Sequence, residues 1–436
     1  MGSARLILIA AAVSFLVAFT GLSLVIGSED PRRPSGDPLA RTAPLRPGAS
    51  TDERIARQQA VVRAAPRDPD GYTALASVYL QKVRETGDPT FYMRADGALD
   101  RALSLAPDHA AALTERGALR LARHDFRGAL SDGLRARRLA PEVIKPYGVV
   151  VDASLELGRY AQAERTLQRM IDLKPDLAAY SRVSYFRELH GDLAGATEAM
   201  KLAVSAGGGT PENSAYVGTL FGNLQLAYGR PDAAERAYRR ALAQFPRHLP
   251  ARAGLARVRA ARGDLDAAAA TLRGVVNRLP LPEYVVALGE TELAAGRPAR
   301  AARDLALVRA EQALLGGNGV NTDSELALFE ADHGDPRRGV VLARRAWASA
   351  PSVRSADALG WALTRAGDPQ QGLAWGRRAL ALGSRDPMFR FHAGISARDA
   401  GRRGLARRWL ALSLADNPRF SPLWAPRARR ALARLG

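Results

Sequence analysis

The side chains of this chain best suited to acid–base or metal chemistry near neutral pH are its six histidines, and they are too scattered to act together. His109, His124, His190, His248, His333 and His392 include no pair at i and i+4, so no helix offers two ring nitrogens to one metal ion. Four of them, His109, His124, His190 and His333, stand at or beside expected turns, where an exposed polar residue is ordinary. Cysteine is absent, which removes disulfides, thiol nucleophiles, thiolate metal sites and a lipid-modified cysteine. No Gly-x-Ser-x-Gly elbow occurs, and the carboxylates fall at helix starts and on polar faces. Asp68-Pro69-Asp70-Gly71 begins like a calcium loop but lacks the remaining ligands, and reads as a turn and helix start. Gly207-Gly208-Gly209 and Gly316-Gly317-Asn318-Gly319 have neither a preceding strand nor the lysine and hydroxyl residue of a phosphate loop. They read as long loops that join blocks of the chain. No catalytic residue, cofactor or metal is expected.

What recurs instead is spacing. A glycine is followed five residues later by a small residue and seventeen residues later by a proline: Gly158, Ala163, Pro175; Gly229, Ala234, Pro246; Gly263, Ala268, Pro280; Gly334, Gly339, Pro351; Gly401, Ala406, Pro418. Pro107, Pro141 and Pro175 lie 34 residues apart. The glycine suits the left-handed position after a helix, the small residue lets two helices approach, and the proline separates one unit from the next. Self-similarity at this period predicts an all-α solenoid of helical hairpins. Composition agrees, with 47% hydrophobic and 25% charged residues, few aromatics and no excess of charge over apolar content that would prevent folding.

The pattern resembles the tetratricopeptide repeat family. Tyr72, Leu75, Ala76 and Tyr79, then Ala95, Leu99, Ala102 and Pro107 after about seven inserted residues around Gly87-Asp88-Pro89, follow its consensus. So do Tyr147, Gly158, Tyr160, Ala163, Leu167 and Pro175, and Gly222, Gly229, Ala234, Tyr238, Ala241 and Pro246. The resemblance implies a right-handed α-solenoid of about ten units over residues 69–420, closed by a capping helix at 421–436; before it, Thr51 or Asp52 is expected to cap a leading helix at 51–68. It also implies that the first helix of each unit lines a concave groove for a protein or peptide. The groove positions hold Lys145, Asp152, Arg182, Phe186, Tyr216, Asn223 and Arg257 in the middle of the array, with Trp361, Arg365, Phe391 and Arg398 as a second cluster. The set of Lys, Asn and Arg with which chaperone-binding members hold a terminal carboxylate is not reproduced.

Leu6 to Gly27 carry no charge, enough helix to cross a bilayer core of about 30 Å. This span is expected to be a membrane anchor, with a signal cleaved after Thr20 as the alternative, and residues 28–50, rich in proline, to be a spacer. An anchor preceded by only five residues places the repeats outside the cytoplasm, although counting Arg32, Arg33, Arg41 and Arg46 favours the opposite orientation. The formal charge is +19, nearly all from arginine. The expected function is that of a membrane-tethered scaffold for protein or peptide partners, without catalysis. The competing reading is a basic solenoid that binds a polyanion, either nucleic acid or an acidic envelope polymer, although nucleic acid is not an expected partner.

Overall fold

The computed structural model describes residues 49–207 and 210–435. The expected anchor at 6–27 and nearly all of the 28–50 spacer lie outside the described residues. No helix among the described residues is long and apolar enough to cross a membrane.

The described residues are all-helical. A leading helix, α1 (Thr51–Ala64), precedes ten hairpins: α2 (Pro69–Thr86) with α3 (Thr90–Leu105), α4 (Ala110–Ala122) with α5 (Phe126–Leu139), α6 (Ile144–Glu156) with α7 (Tyr160–Leu173), α8 (Leu177–Leu189) with α9 (Leu193–Ala206), and α10 (Pro211–Ala227) with α11 (Pro231–Gln244). There follow α12 (Leu249–Arg262) with α13 (Leu265–Val276), α14 (Pro282–Ala294) with α15 (Pro298–Gly317), α16 (Asp323–His333) with α17 (Pro336–Ser349), α18 (Val353–Arg365) with α19 (Pro369–Ala379), and α20 (Pro387–Asp399) with α21 (Arg403–Asp416). A final helix, α22 (Trp424–Ala433), seals the last hairpin.

The turn inside most hairpins is built one way. After the first helix the glycine takes positive φ, and the next residue's N–H reaches back to the carbonyl five residues earlier, as Asp192 to Arg187 (2.9 Å) and Asp368 to Leu363 (2.9 Å). Where that next residue is aspartate, its carboxylate caps the second helix, Asp192 accepting from Gly195 N and Asp264 from Ala267 N. In the second hairpin His124 holds the glycine's position, and it is the one non-glycine residue with positive φ among the described residues. Gly334 departs from the expectation, with φ −132°, because the Glu330 carboxylate occupies the turn and accepts the Asp335 N–H.

Other expectations are corrected. Ser50, not Thr51 or Asp52, caps α1, in a reciprocal pair with Glu53. The insertion near Gly87 accompanies a long α2, of 18 residues, that ends at Thr86 with Gly87 as its cap. Gly316 and Gly317 belong to α15, the longest described helix at 20 residues. Of the four histidines expected at exposed turns, His333 has a buried side chain against Glu290, at 3.0 Å.

The hairpins do not run as an open spiral. The turn inside each of the first five units meets the loop that closes the unit five further on, so units one to five form one layer and units six to ten a second. Gly87 packs on Leu279; Asn321 N donates to Arg123 O (2.9 Å) while His124 Nδ1 donates to Asn321 O (2.7 Å). Val353 N donates to Tyr160 Oη (2.8 Å), and Asn417 Nδ2 to the carbonyls of Leu226 (2.9 Å) and Ala227 (3.0 Å). Contact is so close that a Cβ on Gly158 would lie 2.2 Å from Pro351 O and one on Gly191 2.3 Å from Gly383 O. Apolar residues bridge the layers too, Val353, Ala356 and Phe389 joining the core of units three to five. A solenoid ordinarily stabilises each unit through its neighbours alone. Here a second set of contacts links residues 193 and 191 positions apart.

Candidate functional site: the inner face of the first helices

The first helices turn polar side chains inward, and the expected groove residues divide into groups with different surroundings. On α6 and α8, Arg182 donates through Nε and Nη2 to both oxygens of Asp152 (2.8 and 2.6 Å) and through Nη1 to Ala178 O (3.1 Å). The pair is buried, Arg182 being 3% exposed. Gly148 makes room for it, since a Cβ there would stand 3.0 Å from the guanidinium carbon. Burial raises the Asp152 pKa against the opposing pull of Arg182. Tyr216 lies within electrostatic reach of the same pair, and burial raises its hydroxyl pKa well above the usual value.

Lys145 is half-buried beside Glu115 on a cavity of about 20 Å³. Burial raises the Glu115 carboxyl to about 7, opposed by Lys145 and Arg84, and lowers the Lys145 ammonium pKa. Phe186 packs on His190, with ring centroids 4.2 Å apart. Asn223 and Arg257, on consecutive first helices, are joined: Asn223 Oδ1 accepts from Arg257 Nη2 (3.1 Å) and from the hydroxyl of buried Tyr238 (2.7 Å).

The second cluster is mostly core. Trp361 and Phe391 are each 1% exposed and pack with Trp424 of the capping helix, while Trp361 Nε1 donates to Asp332 (2.7 Å). Arg365 lies over the Trp361 ring at 5.6 Å and donates to Ala331 O (3.1 Å). Arg398 is half-buried and donates to its neighbour Asp399 (2.7 Å). Trp361 and Phe391 therefore hold the last units together rather than facing a groove, because the capping helix covers them.

Sequence reasoning missed a row of charged groups that the layering brings together. Arg354 at the start of α18 donates to Tyr185 Oη (2.6 Å) and stands 4.0 Å from Glu156. Glu188 accepts from Tyr228 (3.4 Å). Glu156 and Glu188 lie in the last turns of their helices, where the helix dipole opposes a carboxylate. Burial raises both carboxyls, Glu188 to about 7, and Arg354 opposes the rise. Glu283 is likewise raised to about 7, by burial first. Acids at helix C-termini are a readable signal in the sequence; their arginine partner, on a helix of the other layer, is not. Among the described residues no group of three or more His, Cys, Asp or Glu is placed to hold a metal ion.

The tetratricopeptide repeat family model matches residues 225–289, from the end of α10 into α14. No curated protein matches the sequence. Among solved structures, a thermophilic repeat protein of Thermus thermophilus is 23% identical, with 44% of this chain and 98% of that chain covered and a TM-score of 0.39. One of Parabacteroides merdae is 18% identical, covering 56% of this chain and 98% of its own, with a TM-score of 0.40. The PilF protein of Pseudomonas aeruginosa is 19% identical, covering 46% and 87%, with a TM-score of 0.33.

Proposed function

We propose that this chain, a tetratricopeptide-repeat protein, is a scaffold that binds a protein or peptide partner through the inner face of its first helices and does no chemistry of its own. The observation that carries the reading is the link between Asn223 and Arg257. It presents an amide and a guanidinium from consecutive first helices, Arg257 standing inside the segment that matches the family and Asn223 just before it. An amide can satisfy a ligand's backbone and a guanidinium its carboxylates. The N-terminal apolar span is the proposed tether, with the repeats outside the cytoplasm.

A photoreactive residue placed at 223 in the full chain, activated in the native host, tests the reading. One recurrent protein cross-linked there, and lost on Arg257→Ala, is expected. Cross-links that survive Arg257→Ala, or fall only on the outer surface, would contradict it. For orientation, protease added to intact cells should cut the 28–50 spacer; a protected spacer overturns the outward placement.

The polyanion reading has one observation in its favour. Arg402, Arg408, Arg430 and Arg434 are exposed at the C-terminal end, where Asp416 is already bonded to Arg385 and Arg390. Binding that collapses steeply with salt and disappears when these four arginines become glutamine would select it.

A further inference from the structure

Where the turn of the fifth unit meets the tenth, the two layers leave a cavity of about 50 Å³. Its donors are few. Asn417 lines it, but both of the bonds its amide nitrogen makes go to the carbonyls of Leu226 and Ala227. The Thr291 hydroxyl donates to Ala287 O (2.7 Å). That leaves two arginines among the lining residues, Arg257 and Arg419. Arg257 spends Nη2 on Asn223, while its Nε is buried with no acceptor. Arg419 forms no ion pair among the described residues, and neither does Arg257. The acids nearby do not quench them: Glu283 is in electrostatic reach of Arg257 without a bond to it, and Asp416 is held by Arg385 and Arg390. The rest of the wall is hydrocarbon, chiefly Leu226, Met388 and Phe420.

Two arginines on the wall of an otherwise largely apolar cavity fit one ligand chemistry. From this geometry we infer that the cavity between the layers binds a carboxylate carried on a short aliphatic stem, the anion facing Arg257 and Arg419 and the stem lying on Met388 and Phe420. A single water needs about 10–15 Å³ of such space, so the volume suits an acid of two to four carbons. A planar carboxylate also matches the fork of a guanidinium, and a buried N–H without an acceptor gains most from one. The site sits at the junction of the layers, so an occupant there touches units five, six, seven and ten at once. Such a ligand ties the layers together, which gives it a measurable effect on stability.

The same chemistry comes from two sources, a free small acid or the last residue of a peptide. Titration of the full chain with butyrate, butyramide, a tetrapeptide ending in alanine with a free carboxyl, and its amidated form separates them, read by calorimetry and by the melting temperature in carboxylate-free buffer. Butyrate or the free-acid peptide should bind and raise the melting temperature; butyramide and the amidated peptide should not. Tighter binding of the peptide identifies a chain terminus, and tighter binding of butyrate a free acid. Arg257→Gln should weaken binding by about tenfold to a hundredfold, the range for a charge-assisted hydrogen bond, and Arg257→Lys by less. Because Arg257→Gln also disturbs Asn223, the exposed Arg419→Ala serves as a second variant and should weaken binding without lowering the melting temperature of the free protein. Equal responses to butyrate and butyramide, no response to either acid, or unchanged affinity in the Arg257→Gln, Arg419→Ala double variant would overturn the inference. Arg257 serves both readings, so Arg419→Ala separates them: it should weaken butyrate binding and leave cross-linking at position 223 intact, whereas failure of the groove reading alone leaves butyrate binding in place.

Discussion

Two places on the inner face, one in each layer, hold their side chains by opposite means. In the first, the ion pair of Arg182 and Asp152 is buried and internally satisfied, with a glycine cut to its shape. In the second, Trp361, Phe391 and Trp424 fill the inner side of the last units with interlocking rings. A charge pair is stable only as a pair, whereas an aromatic cluster loses contact area in proportion to what is removed. One repeat pattern, with the same glycine and proline positions, thus accepts either solution, so the spacing residues set the hairpin and the inner residues are left to vary.

Substitutions test this contrast at several strengths. Arg182→Ala leaves Asp152 buried and unpaired and should cost about 3–5 kcal/mol in denaturant unfolding, while replacing both partners by leucine should recover most of it. Trp361→Ala should cost about 3–5 kcal/mol as well, with no companion substitution that restores it. Recovery at both places, or at neither, would erase the distinction. Next in size is the contact between layers. Gly191→Ala adds both left-handed strain and a Cβ against Gly383 O, whereas Gly263→Ala adds the strain alone, since nothing lies within 4 Å of its Cβ. Strain alone is worth about 1–2 kcal/mol, so Gly263→Ala should lose that much in melting experiments and Gly191→Ala clearly more; equal losses would mean that the layers do not touch.

A smaller effect is expected from pH. Burial raises the Glu188 and Glu283 carboxyls to about 7 from the ordinary 4.5. The folded chain therefore holds these protons more tightly than the unfolded one. The stability they contribute is complete below about pH 4.5 and is lost as pH rises through about 7. Glu188→Gln and Glu283→Gln should each stabilise the protein by about 1–2 kcal/mol at pH 8 and scarcely at pH 4.5. A gain that is the same at both pH values would show that the carboxyls are not raised. Smallest of all, Glu198→Ala, which removes the exposed partner of Lys201, should change stability by less than about 0.5 kcal/mol.

The hairpins are legible in the sequence because each rests on local rules. A glycine that must adopt positive φ, an aspartate that caps, and a proline that cannot continue a helix act within a few residues of one another. Gly334 and Gly316 escape those rules, since in one a side chain from Glu330 overrides the turn and in the other a helix extends through the glycines. The inner face is partly legible. Asn223 and Arg257 stand at groove positions and are joined, but Trp361 and Phe391 stand at groove positions too, and nothing in the spacing reports that α22 covers them. Of the row formed by Glu156, Glu188 and Arg354, the two acids near helix C-termini leave a trace in the sequence, but their meeting with Arg354 does not. It depends on how far each hairpin rotates from the last, a quantity set by many small packing contacts summed over five units.

That rotation decides whether the hairpins close into two layers, and the absence of cysteine in the chain makes it directly measurable. Cysteines introduced at the exposed positions Arg159 and Ala348, one on each side of the contact between Gly158 and Pro351, can carry spin labels for a distance measurement by pulsed electron resonance. Closed layers predict one short, narrow distance, unchanged by dilution. A long or broad distribution, as in an open spiral in which these positions lie five units apart, would overturn the layered arrangement.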